Sequence, residues 1–460
     1  MMDFIHWTNS NILWGIPMLA LIVGTGIFIT LRTRFIQIRK FGQAVREVLG
    51  KAFAPGAARG ELSPFQALTT AIASTVGVGN IAGVATAIAM GGPGAIFWMW
   101  VTGFLGMAVN YAEVTLGVHY RHTFPEGETA GGPMYYVKKG LAEHGKVLGA
   151  IGSVLAILFA MCGALAAFGI GNMVQANTLA DIFQKSSAVA VPPAVTGLIL
   201  VVLTGAVILG GIKRIGKVTE KVVPFMAIFY FVGGVIIILL NIKGVPAAFA
   251  LIFKSAFYPT AAVGGFAGAG IRQAIRWGVA RGVFSNEAGL GSTPIAHSTA
   301  RVDHPVEQGV WGLVEVFVDT FIVCTVTALV IITTGVWESG VNGAPLTIMA
   351  FEAGLSKVGG IIVTVGIVMF AYTTIIVWEY YGEKCAQFLF GTRINLPYRL
   401  MWLVLIMVGS LRSLDEVWAI ADALNAMMAI PNLIALVGLS GVIVKLSKDF
   451  FEKKAGAINA

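Results

Sequence analysis

The sequence predicts an all-α polytopic membrane protein of eleven transmembrane helices, N-terminus outside and C-terminus inside, built as two inverted five-helix repeats behind one extra helix. Three observations point there. Of the 460 residues, 57% are hydrophobic and only 12% charged, with mean hydropathy +0.83. A soluble domain carries about 25% charged residues, because something must face water. Apolar runs of about 20 residues, each able to cross ~30 Å of hydrocarbon, recur along the whole length. Two of these runs are interrupted by small and polar residues at matching places in the two halves. A soluble enzyme, a nucleic-acid binder and a secreted disulfide scaffold are excluded.

Apolar windows place the spans near 12–31, 62–90, 94–120, 147–175, 191–210, 218–241, 262–296, 308–335, 358–381, 396–411 and 427–446. Charge tests their number, since Lys and Arg concentrate in cytoplasmic loops. Arg32, Arg34, Arg39, Lys40, Arg46, Lys51 and Arg59 follow the first span, which sets that side inside and the N-terminus outside. With alternation onward, inside loops hold 23 Lys and Arg, and outside loops hold 5 (Lys185, Lys243, Lys254, Lys357 and Arg412). The other 3 (Arg272, Arg276 and Arg281) fall in span seven. A miscounted span would scramble that division. The net charge of +8 is therefore topological, not a nucleic-acid patch.

Cys162, Cys324 and Cys385 are far apart in or beside apolar stretches, and form neither a disulfide framework nor a zinc site. No signal peptide is expected, since Asp3 is the first charge and no basic stretch precedes the first apolar run. Residues 35–53 carry Phe35, Ile38, Phe41, Val45, Val48, Leu49 and Phe53 at helical spacing among basic residues. This is an amphipathic helix expected to dock on the cytoplasmic membrane surface.

Span two contains Ser74–Gly83 (STVGVGNIAG) and span seven Gly282–Ser292 (GVFSNEAGLGS). A shift of 206 positions superposes them without a gap: Asn80 on Asn286, Ala82 on Ala288, Gly83 on Gly289, Val84 on Leu290 and Thr86 on Ser292. The same shift puts Gly103 on Gly309, Gly106 on Gly312 and Glu113 on Asp319. Spans two to six and seven to eleven make two sets of five, and an odd number per set gives opposite orientations. The chain divides accordingly into 1–61 (extra helix and interfacial helix), 62–241 and 242–446 (the repeats), and a cytoplasmic tail, 447–460. Interruptions at matching places in inverted halves point to a transporter with its site at the midplane.

Unwound backbone at membrane depth survives only where it lines a polar cavity. Half-helix N-termini near Asn80–Gly83 and Ala288–Gly291 present positive dipole ends suited to a carboxylate. Carbonyls near Val76–Gly79 and Val283–Ser285 suit a sodium ion or an ammonium group, and a zwitterionic amino acid needs partners of both kinds. The expected substrate contacts are Gly77, Val78, Gly79, Asn80, Phe284, Ser285, Asn286, Ala288 and Gly289, with Gln175, Thr374 and Trp378 from spans four and nine. The competing reading of the glycines is close helix packing. Gln175 either meets substrate or is an ordinary polar helix end. Trp378 either walls the pocket or anchors its helix. Thr373 and Thr374 either bond back to their own helix or hold an ion.

Glu113, Asp319 and Glu287 are carboxylates within spans, a costly placement that points to function. Glu287 either balances cation charge at the second break or clamps Arg281. Glu113 and Asp319 are expected to fix neighbouring polar groups, not to bind ligand. The six histidines fall at loops or span ends, and HExxH, GxSxG and P-loop patterns are missing, so no enzyme is expected.

Gly91–Met107 (GGPGAIFWMWVTGFLGM) resembles the signature of the alanine or glycine:cation symporter family. Ala130–Tyr136, Gly210–Ala227, Arg281–Ser298, Phe370–Cys385 and Ala429–Ile434 extend the resemblance over nearly the whole chain. It implies a prokaryotic cytoplasmic-membrane transporter importing alanine or glycine with sodium. The implied fold is the five-plus-five inverted repeat of neurotransmitter:sodium symporters, the LeuT-type fold, behind one extra helix. The family's broken helices would correspond to Thr75–Asn80 and Phe284–Gly289, and its hydroxyl pair to Thr373 and Thr374. Sodium would then lie on Thr75, Val76, Gly79, Thr373 and Thr374. The signature itself sits at the turn from span two to span three and is assigned to packing. The expected partners are the amino acid, sodium and the lipid bilayer, with no nucleic acid and no cofactor beyond the coupling ion. The rival readings are a proton-driven carrier titrating at Glu287, and a channel, whose pore would not need two opposed repeats.

Overall fold

The computed structural model describes residues 5–458 except 6, 52–59, 125–126, 185–189, 259–269 and 413–414. Phe53, Arg59, Lys185 and residues 262–269 of the expected seventh span lie outside the described residues. The rest is helical almost throughout. The segment before Pro64 holds α1 (Ile16–Arg32) and the amphipathic α2 (Phe41–Lys51). Then come α3 (Pro64–Thr75), α4 (Val84–Gly91), α5 (Gly94–His119), α6 (Pro133–Ala142), α7 (Lys146–Ala166), α8 (Val174–Gln184), α9 (Pro193–Ile208), α10 (Gly211–Leu240) and α11 (Val245–Phe257). The remainder holds α12 (Ile271–Asn286), α13 (Thr293–His297), α14 (Pro305–Val316), α15 (Thr325–Thr333), α16 (Ala344–Phe390), α17 (Asn395–Leu411), α18 (Asp415–Gly438) and α19 (Ser440–Ile458). Wide π-type turns, Ala167–Met173 and Phe317–Cys324, carry α7 into α8 and α14 into α15. A two-stranded antiparallel pair joins His122–Thr123 to Thr129–Ala130.

Among the described residues, eight helical stretches are long and apolar enough to cross a membrane. The bent pair formed by α3 with Gly79–Gly91 makes a ninth if taken as one span. α9 is apolar but has only 16 residues, and α12, also 16 residues, contains Arg272, Arg276 and Arg281. Two expected spans shift. The window 427–446 straddles a break at Leu439: the apolar stretch is Ala419–Gly438, and Ser440 starts a separate helix carrying Lys445, Lys448 and Lys453. That break falls at Gly438-Leu439-Ser440-Gly441, small residues that a hydropathy average does not register. The window 358–381 is the middle of the 47-residue α16, which leaves helical geometry at Leu355 and Ser356 (φ 52°). α2 docks partly on protein as well as facing outward. Its Ala44 is buried and the Phe41 ring lies 4.7 Å from that of Phe317, while Leu49 stays exposed.

α5 threads the centre and packs on α12, α13 and α14. Glycines allow the close approach. A Cβ on Gly103 would lie 2.7 Å from Thr320 Cγ2, and one on Gly309 would lie 2.2 Å from Thr115 Oγ1. Gly103 and Gly309, matched by the 206-residue shift, thus each admit a threonine of the opposite helix.

Candidate substrate and ion site

The first break begins where α3, started by a reciprocal Ser63–Gln66 capping box, ends at Thr75. Val76 leaves the helix (φ −78°, ψ 86°), and Gly77 N–H donates to Asn80 Oδ1 at 2.9 Å. A side-chain amide thus replaces the helical carbonyl that the break removes. The chain resumes through the wide turn Gly79–Gly83 into α4, bent by 48° from α3.

The second break uses the matching asparagine too, reaching forward along the chain where Asn80 reaches back. α12 ends at Asn286, whose Oδ1 accepts from Ala288 N–H at 3.0 Å. Glu287, Gly289 and Gly291 then take φ of 55°, 93° and 81°. Helix resumes only at Thr293, for five residues. The half-helix N-terminus expected at Ala288–Gly291 is therefore not formed, because left-handed residues cannot propagate a right-handed turn.

The intramembrane carboxylates hold these breaks. Asp319 accepts from Asn80 Nδ2 (2.6 Å), Ser285 Oγ (3.0 Å) and Thr320 Oγ1 (2.9 Å), so it touches both breaks at once. Its counterpart Glu113 accepts from Gly289 N–H (3.1 Å) and from Asn432 Nδ2, and Asn432 also donates to Gly289 O (3.0 Å) and accepts from Tyr136 OH. Both carboxylates fix helices, as the sequence suggests. Glu287 does not clamp Arg281. Its carboxylate accepts from Ser292 Oγ and from Trp378 Nε1 (3.1 Å), while the Arg281 guanidinium lies over the Trp277 and Phe284 rings, 5.3 and 5.6 Å from their centroids. Glu287 lies six positions after Arg281, about 120° round an α-helix, so the two do not share a face of α12, and the left-handed turn at Glu287 separates them further.

Thr374 Oγ1 lies 2.9 Å from Phe370 O, in its own helix, and 3.3 Å from Ala73 O in the last turn of α3. Thr373 Oγ1 donates to Phe370 O at 3.0 Å and faces Met226 Sδ of α10 at 3.6 Å. Thr75 Oγ1 bonds back to Ala71 O and Ile72 O, 3.4 Å each. The structure thus brings Thr374, more than Thr373, against the carbonyl end of α3. Trp378 is packed flat on Gly171, where a Cβ would come within 2.1 Å of Trp378 Cβ, and its indole N–H holds Glu287.

A cleft of about 450 Å³ descends to the first break, with Val78, Gly79, Gln175, Arg281 and Phe284 among its walls and the exposed Asn342 at its mouth. Phe284 closes over Gly79, where a Cβ would sit 3.3 Å from the ring. Of the residues expected to touch substrate, Val78, Gly79, Gln175 and Phe284 line this cleft. Gly77, Asn80, Ser285, Asn286, Ala288, Gly289, Thr374 and Trp378 are buried and do not line it. The Ala288 and Gly289 amides already donate to Asn286 and Glu113.

At the opposite end the two breaks are tied together. Leu62 and Ala300 form a parallel bridge: Glu61 and Leu62 N–H donate to Thr299 O (2.8 and 3.1 Å), and Arg301 N–H donates to Leu62 O (2.9 Å). Arg121 Nη1 adds a bond to Ala300 O at 2.8 Å, and Glu61 Oε1 accepts from Thr129 N–H at 2.8 Å. Burial raises the Glu61 carboxyl above its ordinary range, partly offset by that bond to Thr129. Lys384 pairs with Glu128 beside this closure. His297, expected at a span end, is fully buried between Glu315 (2.9 Å) and Gln308 (2.8 Å), a network that no spacing in the sequence announces.

Residues 1–459 match the family described as the sodium:alanine symporter family. The sodium/alanine symporter AgcS of Methanococcus maripaludis is 50% identical over 466 residues, covering 100% of both chains. The putative sodium/proton-dependent alanine carrier protein YrbD and the probable sodium/glutamine symporter GlnT of Bacillus subtilis are each 37% identical. They span 99% and 97% of this chain, and 93% and 90% of their own lengths. Among solved structures, MhsT in complex with L-phenylalanine shares the fold at TM-score 0.56 and 13% identity, over 84% of this chain and 98% of its own.

Proposed function

Because the chain belongs to the sodium:alanine symporter family, a family of multi-pass membrane transporters and not of enzymes, we propose that it imports alanine or glycine with sodium across the cell membrane. The observation that carries this reading is the meeting of the two breaks at Asp319, with a cleft reaching them from one side and the Leu62–Ala300 bridge closing the other. A site reachable from one side only is what alternating access requires, and rocking of 62–241 against 242–446 would exchange the sides.

In this reading the amino acid sits at Val78–Asn80 under Phe284, whose ring limits the space to a small side chain. Unwound N–H groups take its carboxylate. Sodium sits where Thr374 Oγ1 meets the carbonyls at the end of α3, with Thr75, Val76, Gly79 and Thr373 completing its oxygen ligands. Hard oxygen donors without fixed charge suit a cation that must also leave. One charge moved down a 100 mV potential supplies about 2.3 kcal/mol, and a sodium gradient adds to it. The relatives' names cover alanine and glutamine, and sodium alone or with protons. The decisive experiment is therefore alanine, glycine and glutamine uptake into proteoliposomes under a sodium gradient, under potassium alone and under a proton gradient alone. Saturable uptake of alanine or glycine only with sodium is expected. Uptake driven by protons alone overturns the sodium assignment and makes Glu287→Gln the next variant.

A further inference from the structure

One buried hydrogen-bond chain takes no part in the site at the breaks. Thr293 Oγ1 donates to Asn110 Oδ1 (2.7 Å), and Asn110 Nδ2 donates to Gly312 O (3.2 Å) and Glu315 Oε2 (2.8 Å). His297 Nε2 lies 2.9 Å from the same Glu315 oxygen, while Gln308 Nε2 lies 2.8 Å from His297 Nδ1 and 3.4 Å from Pro64 O. Thr293, Asn110, Glu315, His297 and Gln308 are all fully buried. Gln308 Nε2 can only donate, so Nδ1 accepts and the ring's one hydrogen, on Nε2, goes to Glu315. Every side-chain donor is then spent, yet two buried acceptors, Glu315 Oε1 and Gln308 Oε1, are left without one. The chain is short of hydrogen.

We propose that His297, Glu315 and Gln308 form a proton-binding site that controls the Leu62–Ala300 closure. The two settings of the Gln308 amide correspond to two proton counts. With Nε2 toward the ring, His297 and Glu315 hold one proton between them. With the amide turned, Oε1 faces Nδ1, which must then carry a hydrogen. Either the ring is an imidazolium beside a carboxylate, or its bare Nε2 accepts from a protonated Glu315, and both arrangements hold two. The turn also sets Oε1 against Pro64 O, acceptor against acceptor, so the bond from α14 to the first residue of α3 is lost. Pro64 lies two positions after Leu62 and His297 three before Ala300, so the site adjoins both sides of the closure. One bound proton therefore favours the open closure.

The charges around the pair are Glu113 of α5, Glu287 of the second break, Asp319 after α14 and Tyr381 of α16. Arg121, past the end of α5, is held on the Ser298 and Ala300 carbonyls, and Lys384 of α16 is paired with Glu128. α3 has no charged side chain, and α2 and α19 keep Arg46, Lys445 and Lys448 exposed and Glu47 and Asp449 half-buried. A positive charge added at the pair thus has carboxylates about it. Neither His297, Glu315 nor Gln308 lines the cleft, so the proton comes from water on the closure face and returns to it. It gates the cycle and is not carried across. The inference rests on the alternating-access reading above, in that the closure must part, but not on which amino acid or ion is moved.

The test reads the closure without substrate. Lys213 and Asp303 are exposed on its two sides: α10 packs on α3, where a Cβ on Gly216 would lie 2.8 Å from Leu62 Cδ2, and Asp303 follows Ala300. With spin labels at Lys213→Cys and Asp303→Cys, acidification should enlarge the long-distance population about tenfold, an ordinary coupling between sites. His297→Gln, which takes no proton, should flatten that response. Should it not fold, Glu315→Gln is expected to flatten it equally. Gln308→Leu, which keeps the pair but frees Pro64 O, should hold the long-distance population high in acid and alkaline buffer alike. A parent pair unmoved by pH overturns the site, and so does a response that His297→Gln retains. Alanine/alanine exchange with pH changed on one face at a time separates gating from carriage: acid on the closure face alone should raise the rate. Equal responses to both faces, or alanine accumulation driven by a proton gradient, show a carried proton and overturn the gate. No alanine exchange beside an intact spin-label response removes the amino-acid reading and supports the site.

Discussion

Asp319 is the side chain on which both breaks depend. Asn80, Ser285 and Thr320 all donate to it, so its two oxygens are acceptors only. Asp319→Asn keeps one acceptor for Asn80 but turns the other position into an N–H donor, so the Ser285 and Thr320 hydroxyls must give up their acceptor and leave donors unmet in a dry site. A buried unmet donor costs about 1–3 kcal/mol, so purified Asp319→Asn should lose about 2 kcal/mol of stability in denaturant or thermal unfolding. A wild-type transition with normal uptake would mean the breaks do not need it. The threonines allow a sharper comparison within one helix. Thr374 lies by the α3 carbonyls and Thr373 toward Met226. Thr374→Val should therefore raise the sodium concentration for half-maximal uptake roughly tenfold, the loss of ~1.4 kcal/mol of binding, and Thr373→Val should raise it less. The reverse order would place sodium nearer α10.

At the scale of elements, the pairing of Leu62 with Ala300 joins the segment before α3 to the segment after α13. If uptake requires these segments to part, tying them should stop it. In Leu62→Cys/Ala300→Cys, oxidation should cut uptake at least roughly tenfold and reductant should restore it, since a native-geometry disulfide resists opening. Full uptake by the crosslinked protein would show that the closure does not open. How far these elements were readable depends on what each one leaves in the sequence. The breaks were legible because Asn80 and Asn286, with their small neighbours, recur at one fixed shift in apolar runs. Their partners were not. Asp319 lies 239 positions from Asn80 and Asn432 lies 319 from Glu113, and contacts at such distances leave no period. The break at Leu439 did leave a mark, Gly438, Ser440 and Gly441 around it, but a hydropathy window averages those small residues into the apolar run on either side. The clamp between Glu287 and Arg281 failed because six positions already set them about 120° apart round a helix, and Glu287 turns left-handed besides.

For the whole molecule, the sorting of 23 Lys and Arg to one side against 5 to the other is an argument about orientation that cysteine labelling can check. Lys213 and Lys243 are exposed at the two ends of α10, a single 30-residue apolar helix, so they must lie on opposite faces of the membrane. Background is low because Cys162, Cys324 and Cys385 are buried. In intact cells a membrane-impermeant maleimide should modify Lys243→Cys and spare Lys213→Cys, with both modified after permeabilisation. Labelling of both in intact cells would mean α10 does not cross. The result also assigns a side to the cleft. Gly244 packs toward Thr333 at the end of α15, where a Cβ would lie 3.9 Å from Thr333 Cγ2, and Asn342 at the cleft mouth follows within the next short segment. Lys243 labelled from outside therefore makes the cleft outward-facing. Lys213 labelled from outside would instead turn the cleft to the cytoplasm.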